Sequence, residues 1–193
     1  MSSAHSFFAT AARGLEPLVA DELRALGADG VEAGRGGVHF TGSLETGYRA
    51  CLWSRTTSRV LLELGRGPAA DGDQLYETVR TIRWADQLPL ERTIAVDYTQ
   101  IKSQLQHTQF GALRTKDAVC DQLREGRGVR PDVDTARPDL LIHVHVESDV
   151  AAVSVDLAGE SLHRRGYRVD GAEAPLKETL AAAPAPPAPG VET

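Results

Sequence analysis

Strand-like and helix-like hydrophobic periods alternate along this chain, and that alternation limits the folds open to it more than any other feature. Phe7-Phe8-Ala9-Thr10 reads as a strand. From Gly14 to Leu26, residues Leu15, Leu18, Val19, Leu23 and Leu26 recur at helical spacing, and Gly27 is placed to end the helix. Val31 to Phe40 is extended again, interrupted by Gly34-Arg35-Gly36-Gly37. Such glycines cradle phosphate when a helix starts directly after them; none does here, so a hairpin or bulge is expected. Ser43 is placed to cap a helix reaching Arg55, and Val60, Leu62 and Leu64 alternate as the next strand.

The pattern then repeats. After a turn over Gly65 to Gly72, a helix is expected from Asp73 to about Arg83, with Leu75, Val79 and Ile82 on one side. Ile94, Val96 and Tyr98 mark a strand, and the longest helix is expected within His107 to Glu125, ending near Gly126-Arg127-Gly128. Strands Leu141 to Glu147 and Val150 to Leu157 meet at a tight turn, Ser148-Asp149. Ile142, Val144, Val146, Ala151, Val153, Val155 and Leu157 fall on one face of that hairpin; His143, His145, Ser154 and Asp156 fall on the other. Two such units predict an α+β protein with sheets covered mainly on one side. Pro184 to Gly190 has no core-forming side chains, so 184–193 is predicted to be a disordered tail.

With 193 residues the chain can form one compact domain or two small ones. Cys51 and Cys120 have no CxxC spacing and read as buried thiols in a reducing cytosol. No apolar run approaches the roughly 20 residues that span a bilayer. Met1 to Ser6 lacks the basic-then-apolar pattern of a leader, so a cytoplasmic protein with no membrane partner is expected. A net charge of −6 excludes indiscriminate electrostatic binding to nucleic acid, yet Arg49, Arg55, Arg59 and Arg66 stand against a single acid, Glu63, in their stretch.

Several side chains invite a chemical reading. Lys116 falls near the middle of a helical face formed by Ala112, Leu113, Val119, Cys120 and Leu123. It either snorkels from the core edge or meets a phosphate. His143 and His145 share a strand face, but no zinc-like spacing accompanies them, and no metal site is expected. Trp53 beside Arg55, and Trp84, could stack on unpaired bases; each closes an amphipathic segment, so burial in the core or at a domain interface is expected. Arg164, Arg165 and Arg168 surround Gly166-Tyr167 beyond the last strand, as RNA contacts or as a solvated linker.

A set of short strings occurs in order along the chain. They include Phe8-Ala9-Thr10-Ala11-Ala12-Arg13-Gly14-Leu15-Glu16, Gly36-Gly37-Val38-His39-Phe40, Leu52-Trp53-Ser54-Arg55 and Lys116-Asp117-Ala118-Val119. They continue through Arg130-Pro131-Asp132-Val133-Asp134, Asp156-Leu157-Ala158-Gly159, His163-Arg164-Arg165-Gly166-Tyr167-Arg168 and Lys177-Glu178-Thr179-Leu180-Ala181-Ala182. In this combination the chain resembles bacterial 23S ribosomal RNA guanine-N2 methyltransferases whose N-terminal part contains a THUMP domain. The resemblance implies a ferredoxin-like subdomain over 1–64, whose last helix and strand can be shared with the next unit. It further implies a THUMP RNA-binding domain over 65–159 and a linker over 160–183 toward a methyltransferase domain that does not follow. The chain contains no asparagine, and its single Pro-Pro, Pro186-Pro187, is flanked by alanines. The Asn/Asp-Pro-Pro-aromatic motif of amino-methyltransferases and a glycine-rich S-adenosylmethionine loop are thus missing.

The expectation is a non-catalytic RNA-binding module, the recognition part of a ribosomal RNA methyltransferase. It would need no cofactor itself; S-adenosylmethionine is expected only with the catalytic domain, which a separate chain could supply. Structured RNA, 23S ribosomal RNA in particular, is the expected partner, and DNA is not. Arg55, Arg59, Arg114, Lys116, Arg164 and Arg165 are the candidate phosphate contacts, and no catalytic residue is named. The alternative is a ferredoxin-like protein-interaction or small-molecule-binding module with no affinity for RNA.

Overall fold

The computed structural model describes residues 4–163 and 177–183. Within them the chain divides into two compact units. One holds the described residues up to Val60 together with Glu160–His163 and 177–183; the other is Leu61–Gly159.

The first unit runs β1 (His5–Thr10), α1 (Glu16–Ala25), β2 (Asp29–Gly34), β3 (Gly37–Gly42), α2 (Leu44–Trp53) and the start of β4 (Arg59–Pro68). Its strand order is β2-β3-β1-β4. Antiparallel pairing of β1 with β3 sets Phe7 opposite Phe40 and Ala9 opposite Val38. All four are buried, and the two phenylalanine rings stack with centroids 4.9 Å apart. Val19 and Leu23 of α1 complete this core, each buried phenylalanine or leucine contributing about 2 kcal/mol. The glycine cluster is a hairpin turn, as its lack of a following helix requires, with Gly36 at φ 76°. Glu16 Oε1 accepts the Gly36 amide at 3.3 Å and Oε2 accepts that of Gly14 at 2.7 Å.

Ser43 caps α2 by accepting the Thr46 amide at 3.2 Å. The residues α2 buries are small, Gly47 and Ala50. Contact through small residues turns the larger apolar side chains outward, and Trp53 is 69% exposed. Trp53 therefore does not lie in the core of this unit, as the first of its two expected places would require. A final short helix, α6 (Glu178–Ala181), carries the buried Thr179.

The second unit contains the rest of β4, then α3 (Gly72–Arg80), α4 (Trp84–Gln87), β5 (Ile94–Ile101), α5 (Thr108–Arg127), β6 (Leu140–Glu147) and β7 (Val150–Asp156). Its strand order is β4-β7-β6-β5, with β5 and β6 parallel and the other pairs antiparallel. The turn expected at Gly65 does not form. The strand continues to Pro68 through a bulge between Glu63 and Gly65. Gly67 has a physical reason to be glycine, because a Cβ there would stand 2.6 Å from Thr78 Oγ1 of α3.

The helix expected from Asp73 to Arg83 divides into α3 and α4. Trp84, fully buried, donates its ring N–H to the Val79 carbonyl at 3.0 Å, which fixes the corner between them. The β6–β7 turn does form at Ser148-Asp149, both with positive φ (50° and 62°), as a two-residue hairpin requires. Its predicted apolar face is buried at Ile142, Val144, Val146, Ala151, Val153 and Val155. Ser154 and Asp156 on the opposite face are also buried, so that face is not simply open to solvent.

Candidate nucleic-acid interface

In the first unit, one carboxylate organises the loop that follows α2. Glu22, on α1, is only 13% exposed at its side chain. Its Oε2 accepts from Ser54 Oγ (2.8 Å), the Arg55 amide (3.1 Å), the Thr56 amide (3.3 Å) and Thr56 Oγ1 (2.8 Å). Ser54 Oγ in turn accepts the Thr57 amide at 3.2 Å. Glu22 was not among the residues singled out from the sequence. An acid on an amphipathic helix reads as solvated, and only the return of the chain after α2 brings four donors to it.

The loop held this way presents Trp53 and Arg55. Arg55 extends into solvent with its side chain 75% exposed, and Nε lies 3.6 Å from Glu22 Oε1. Arg59, the second candidate in this unit, opens β4 and is half-buried. Two further cations of the basic stretch form close ion pairs: Arg49 with Glu45 at 2.5 Å, and Arg66 with Glu63 at 2.8 Å. The Arg66 guanidinium is held above its ordinary value, mainly by that hydrogen bond to Glu63.

In the second unit, α5 carries Arg114 and Lys116. Its buried face consists of Gly111, Thr115, Ala118, Val119, Cys120 and Leu123, while Leu113, expected in the core, is 49% exposed. The face turns because Gly111 lies against the Tyr98 ring, where a Cβ would come within 2.5 Å of ring carbons. Lys116 accordingly sits at the edge of that face. Nζ is 3.0 Å from Asp117 Oδ1, and the side chain borders a shallow apolar groove with Ile94, Val96, Ala112, Leu113 and Val133. Arg114 is used inside the unit. Its Nη2 pairs with Asp73 Oδ1 at 2.6 Å, its Nε donates to the Gly72 carbonyl, and its guanidinium covers the Tyr76 ring at 4.3 Å.

Arg80 has a similar internal role. It bridges α3 to Glu125 of α5 at 2.6 Å, so the Arg80 guanidinium is held above and the Glu125 carboxyl below its ordinary value. Arg164 and Arg165 lie outside the described residues.

His143 and His145 do share a strand face. His143 Nδ1 lies 3.1 Å from Asp97 Oδ2, and His145 Nδ1 lies 2.8 Å from Thr99 Oγ1. Among the described residues, no group of three His, Cys, Asp or Glu is placed to hold a metal. No described helix is long and apolar enough to cross a membrane.

A βαββαβ unit followed by a second α/β unit with a parallel β5–β6 pair defines an α+β protein of the ferredoxin-like plus THUMP class. Family models agree: residues 6–61 match the RlmL ferredoxin-like domain and residues 69–156 match the THUMP domain. The chain thus carries an RlmL ferredoxin-like domain followed by a THUMP domain. It is 52% identical over 183 residues to the ribosomal RNA large subunit methyltransferase K/L of Syntrophotalea carbinolica, covering 95% of this chain and 26% of that protein. With the protein of the same name from Methylococcus capsulatus it is 49% identical over 183 residues, covering 95% of this chain and 25% of that one. The chain thus spans about a quarter of the length of these relatives.

Among solved structures it is similar to a Listeria monocytogenes protein described as a predicted N6-adenine-specific DNA methylase. The TM-score is 0.82 at 31% identity, covering 93% of this chain and 47% of that one. TrmN from Thermus thermophilus shares the fold, with a TM-score of 0.63 at 23% identity over 84% of this chain and 48% of that one.

Proposed function

We propose that this chain is the RNA-recognition module of a ribosomal RNA methyltransferase, with 23S ribosomal RNA as its target and guanine N2 as the site that the whole enzyme modifies. The observation that carries the reading is one continuous 183-residue match, across both domains, to proteins named for ribosomal RNA methylation. These residues position RNA, and a methyltransferase domain, in the same polypeptide or another, binds S-adenosylmethionine and performs the transfer. Such a protein works in the cytoplasm, where ribosomal RNA is made. A phosphate contact by Arg55 fits the reading, and Lys116 could make one by giving up its 3.0 Å pair with Asp117. Arg114 would have to give up its contacts with Asp73 and Tyr76 to serve the same purpose.

The test is titration of the 193-residue chain with a 23S ribosomal RNA fragment at several salt concentrations. Affinity is expected to fall with salt, with a log-log slope corresponding to about three to five phosphate contacts. No binding at low salt, or binding indifferent to salt, would overturn the proposal. Calorimetry of the chain with S-adenosylmethionine is expected to give no heat of binding, and saturable micromolar binding would count against a pure recognition role.

A further inference from the structure

The ferredoxin-like unit exposes a large aromatic side chain and a guanidinium two residues apart on a backbone that is held in place. We infer that Trp53 and Arg55 form a platform for an unpaired RNA nucleotide, the base stacking on the indole and a flanking phosphate meeting the guanidinium. The inference rests on the RNA-recognition reading and adds to it a contact point in the first unit, distinct from the THUMP domain.

Three observations carry it. First, Trp53 is 69% exposed although it ends a helix with a packed inner face, so its ring is open to a ligand. The chain's other tryptophan, Trp84, has the ordinary fate of a core indole, with no exposure and its N–H satisfied. Second, the loop is pre-organised. Four donors within Ser54–Thr56 converge on Glu22 Oε2, so binding a nucleotide would not have to order the backbone that carries Trp53 and Arg55.

Third, the charge suits a phosphate. Among the described residues, the acid paired with the Arg55 guanidinium is Glu22, whose Oε1 lies 3.6 Å from Nε while its Oε2 takes those four donors. A guanidinium that is 75% exposed and only loosely paired can take a phosphate oxygen without breaking a close ion pair. Stacking on an aromatic ring beside an arginine is how unpaired bases are commonly held, whereas a paired duplex offers no free base face.

The two tryptophans make the test direct. The 193-residue chain is titrated with an RNA hairpin bearing an unpaired loop, and with the same stem closed as a blunt duplex. Binding is followed by anisotropy of labelled RNA and, separately, by intrinsic tryptophan emission under acrylamide. Loop RNA is expected to quench the exposed Trp53 and shield it from acrylamide, while Trp84 stays silent. Trp53→Ala is expected to weaken loop binding by about 5- to 150-fold, the range for losing one stacked base. Trp53→Phe keeps a ring and is expected to stay within about threefold of wild type, and Arg55→Ala to lower the salt slope by about one.

Circular dichroism confirms that each variant is folded, and because Trp53 and Arg55 are exposed, a folded variant is expected. If wild type binds RNA but Trp53→Ala binds equally well with no change in emission, the platform is overturned while the RNA reading stands. Equal losses for loop and duplex RNA would also overturn it. If wild type binds no RNA at all, both fall. Loss in Trp53→Ala of binding to a methyltransferase polypeptide, with RNA binding intact, would assign the surface to a protein partner instead.

Discussion

Replacing Glu22 with alanine should loosen the loop that carries Trp53 and Arg55 and destabilise the first unit, and the size of the effect follows from the hydrogen bonds lost. Of the four donors on Oε2, the Arg55 amide makes a solvent-exposed bond and can exchange its partner for water at little net cost. Ser54 Oγ, the Thr56 amide and Thr56 Oγ1 are shielded, on residues with almost no exposed surface. Ser54 Oγ keeps Thr57 Oγ1 as an acceptor at 2.7 Å, so the two Thr56 donors are the ones orphaned, at about 1 kcal/mol each after local relaxation and about 2 kcal/mol in total. Glu22→Gln keeps one oxygen acceptor but loses the charge, and about 1 kcal/mol is expected. With a urea m-value of about 1.5 kcal/mol/M, the alanine variant should unfold at a midpoint lower by about 1.3 M. Amide hydrogen exchange gives the local readout, since the Arg55 and Thr56 N–H groups should exchange faster. A midpoint within about 0.3 M of wild type, or unchanged exchange at those amides, would refute the claim that Glu22 holds the loop.

The second unit gives further tests. Gly111→Ala places a Cβ within 2.5 Å of the rigid Tyr98 ring, so a loss of about 2 kcal/mol is expected in urea unfolding followed at the buried Trp84. An unchanged midpoint would mean that α5 can shift without cost. Arg114→Ala removes the pair with Asp73 and the contact over Tyr76 and should lower stability by about 1 kcal/mol. If it instead weakens RNA binding with stability unchanged, Arg114 contacts RNA despite its internal partners. The Asp149 carboxyl is held below its ordinary value mainly by the Gln104 amide, that of Asp139 by the Thr93 amide and that of Asp134 by the Arg137 amide. Their stabilisation is complete above the unfolded carboxylate range and is lost as pH falls through the lower folded values. Stability is therefore expected to drop below about pH 4, and less steeply in Asp149→Asn. Parallel pH curves for variant and wild type would refute that assignment.

The element pattern was legible wherever local chemistry decides the outcome. The Ser43 cap, the left-handed Gly128 that ends α5 and the Ser148-Asp149 turn all form where the sequence signals placed them. It was misleading where a residue type has two uses. Gly65-Arg66-Gly67-Pro68 has the composition of a turn, but Gly67 serves the close approach of α3, and Gly65 that of Ile82 just past it, to a continuing strand. Helix faces failed for a related reason. Counting large apolar residues points to Trp53 and Leu113 as core, whereas α2 and α5 pack through Gly47 and Ala50, and through Gly111 and Thr115. A small residue contributes little to a hydrophobic pattern and yet allows the closest contact. The candidate interface was partly legible: the Trp53–Arg55 pairing can be read from adjacent residues, but the carboxylate that fixes it lies more than thirty residues earlier in the chain.

The distribution of ion pairs also bears on how such an acidic chain could hold RNA. Arg49, Arg66, Arg80, Arg92, Arg114 and Arg124 each lie within 3 Å of a carboxylate oxygen in the same unit, so cations counted along the sequence overstate the charge available to phosphate. With few phosphates neutralised, counterion release supplies only a modest part of the affinity, and a contact that salt does not screen has to supply more. Stacking is such a contact. The two halves of the proposed platform should therefore separate in a salt titration: Arg55→Ala changes the slope of log affinity against log salt, and Trp53→Ala lowers the whole line while leaving the slope alone. A Trp53→Ala line that meets wild type at high salt would show that the indole acts only by orienting a cation, and the stacking argument would fail.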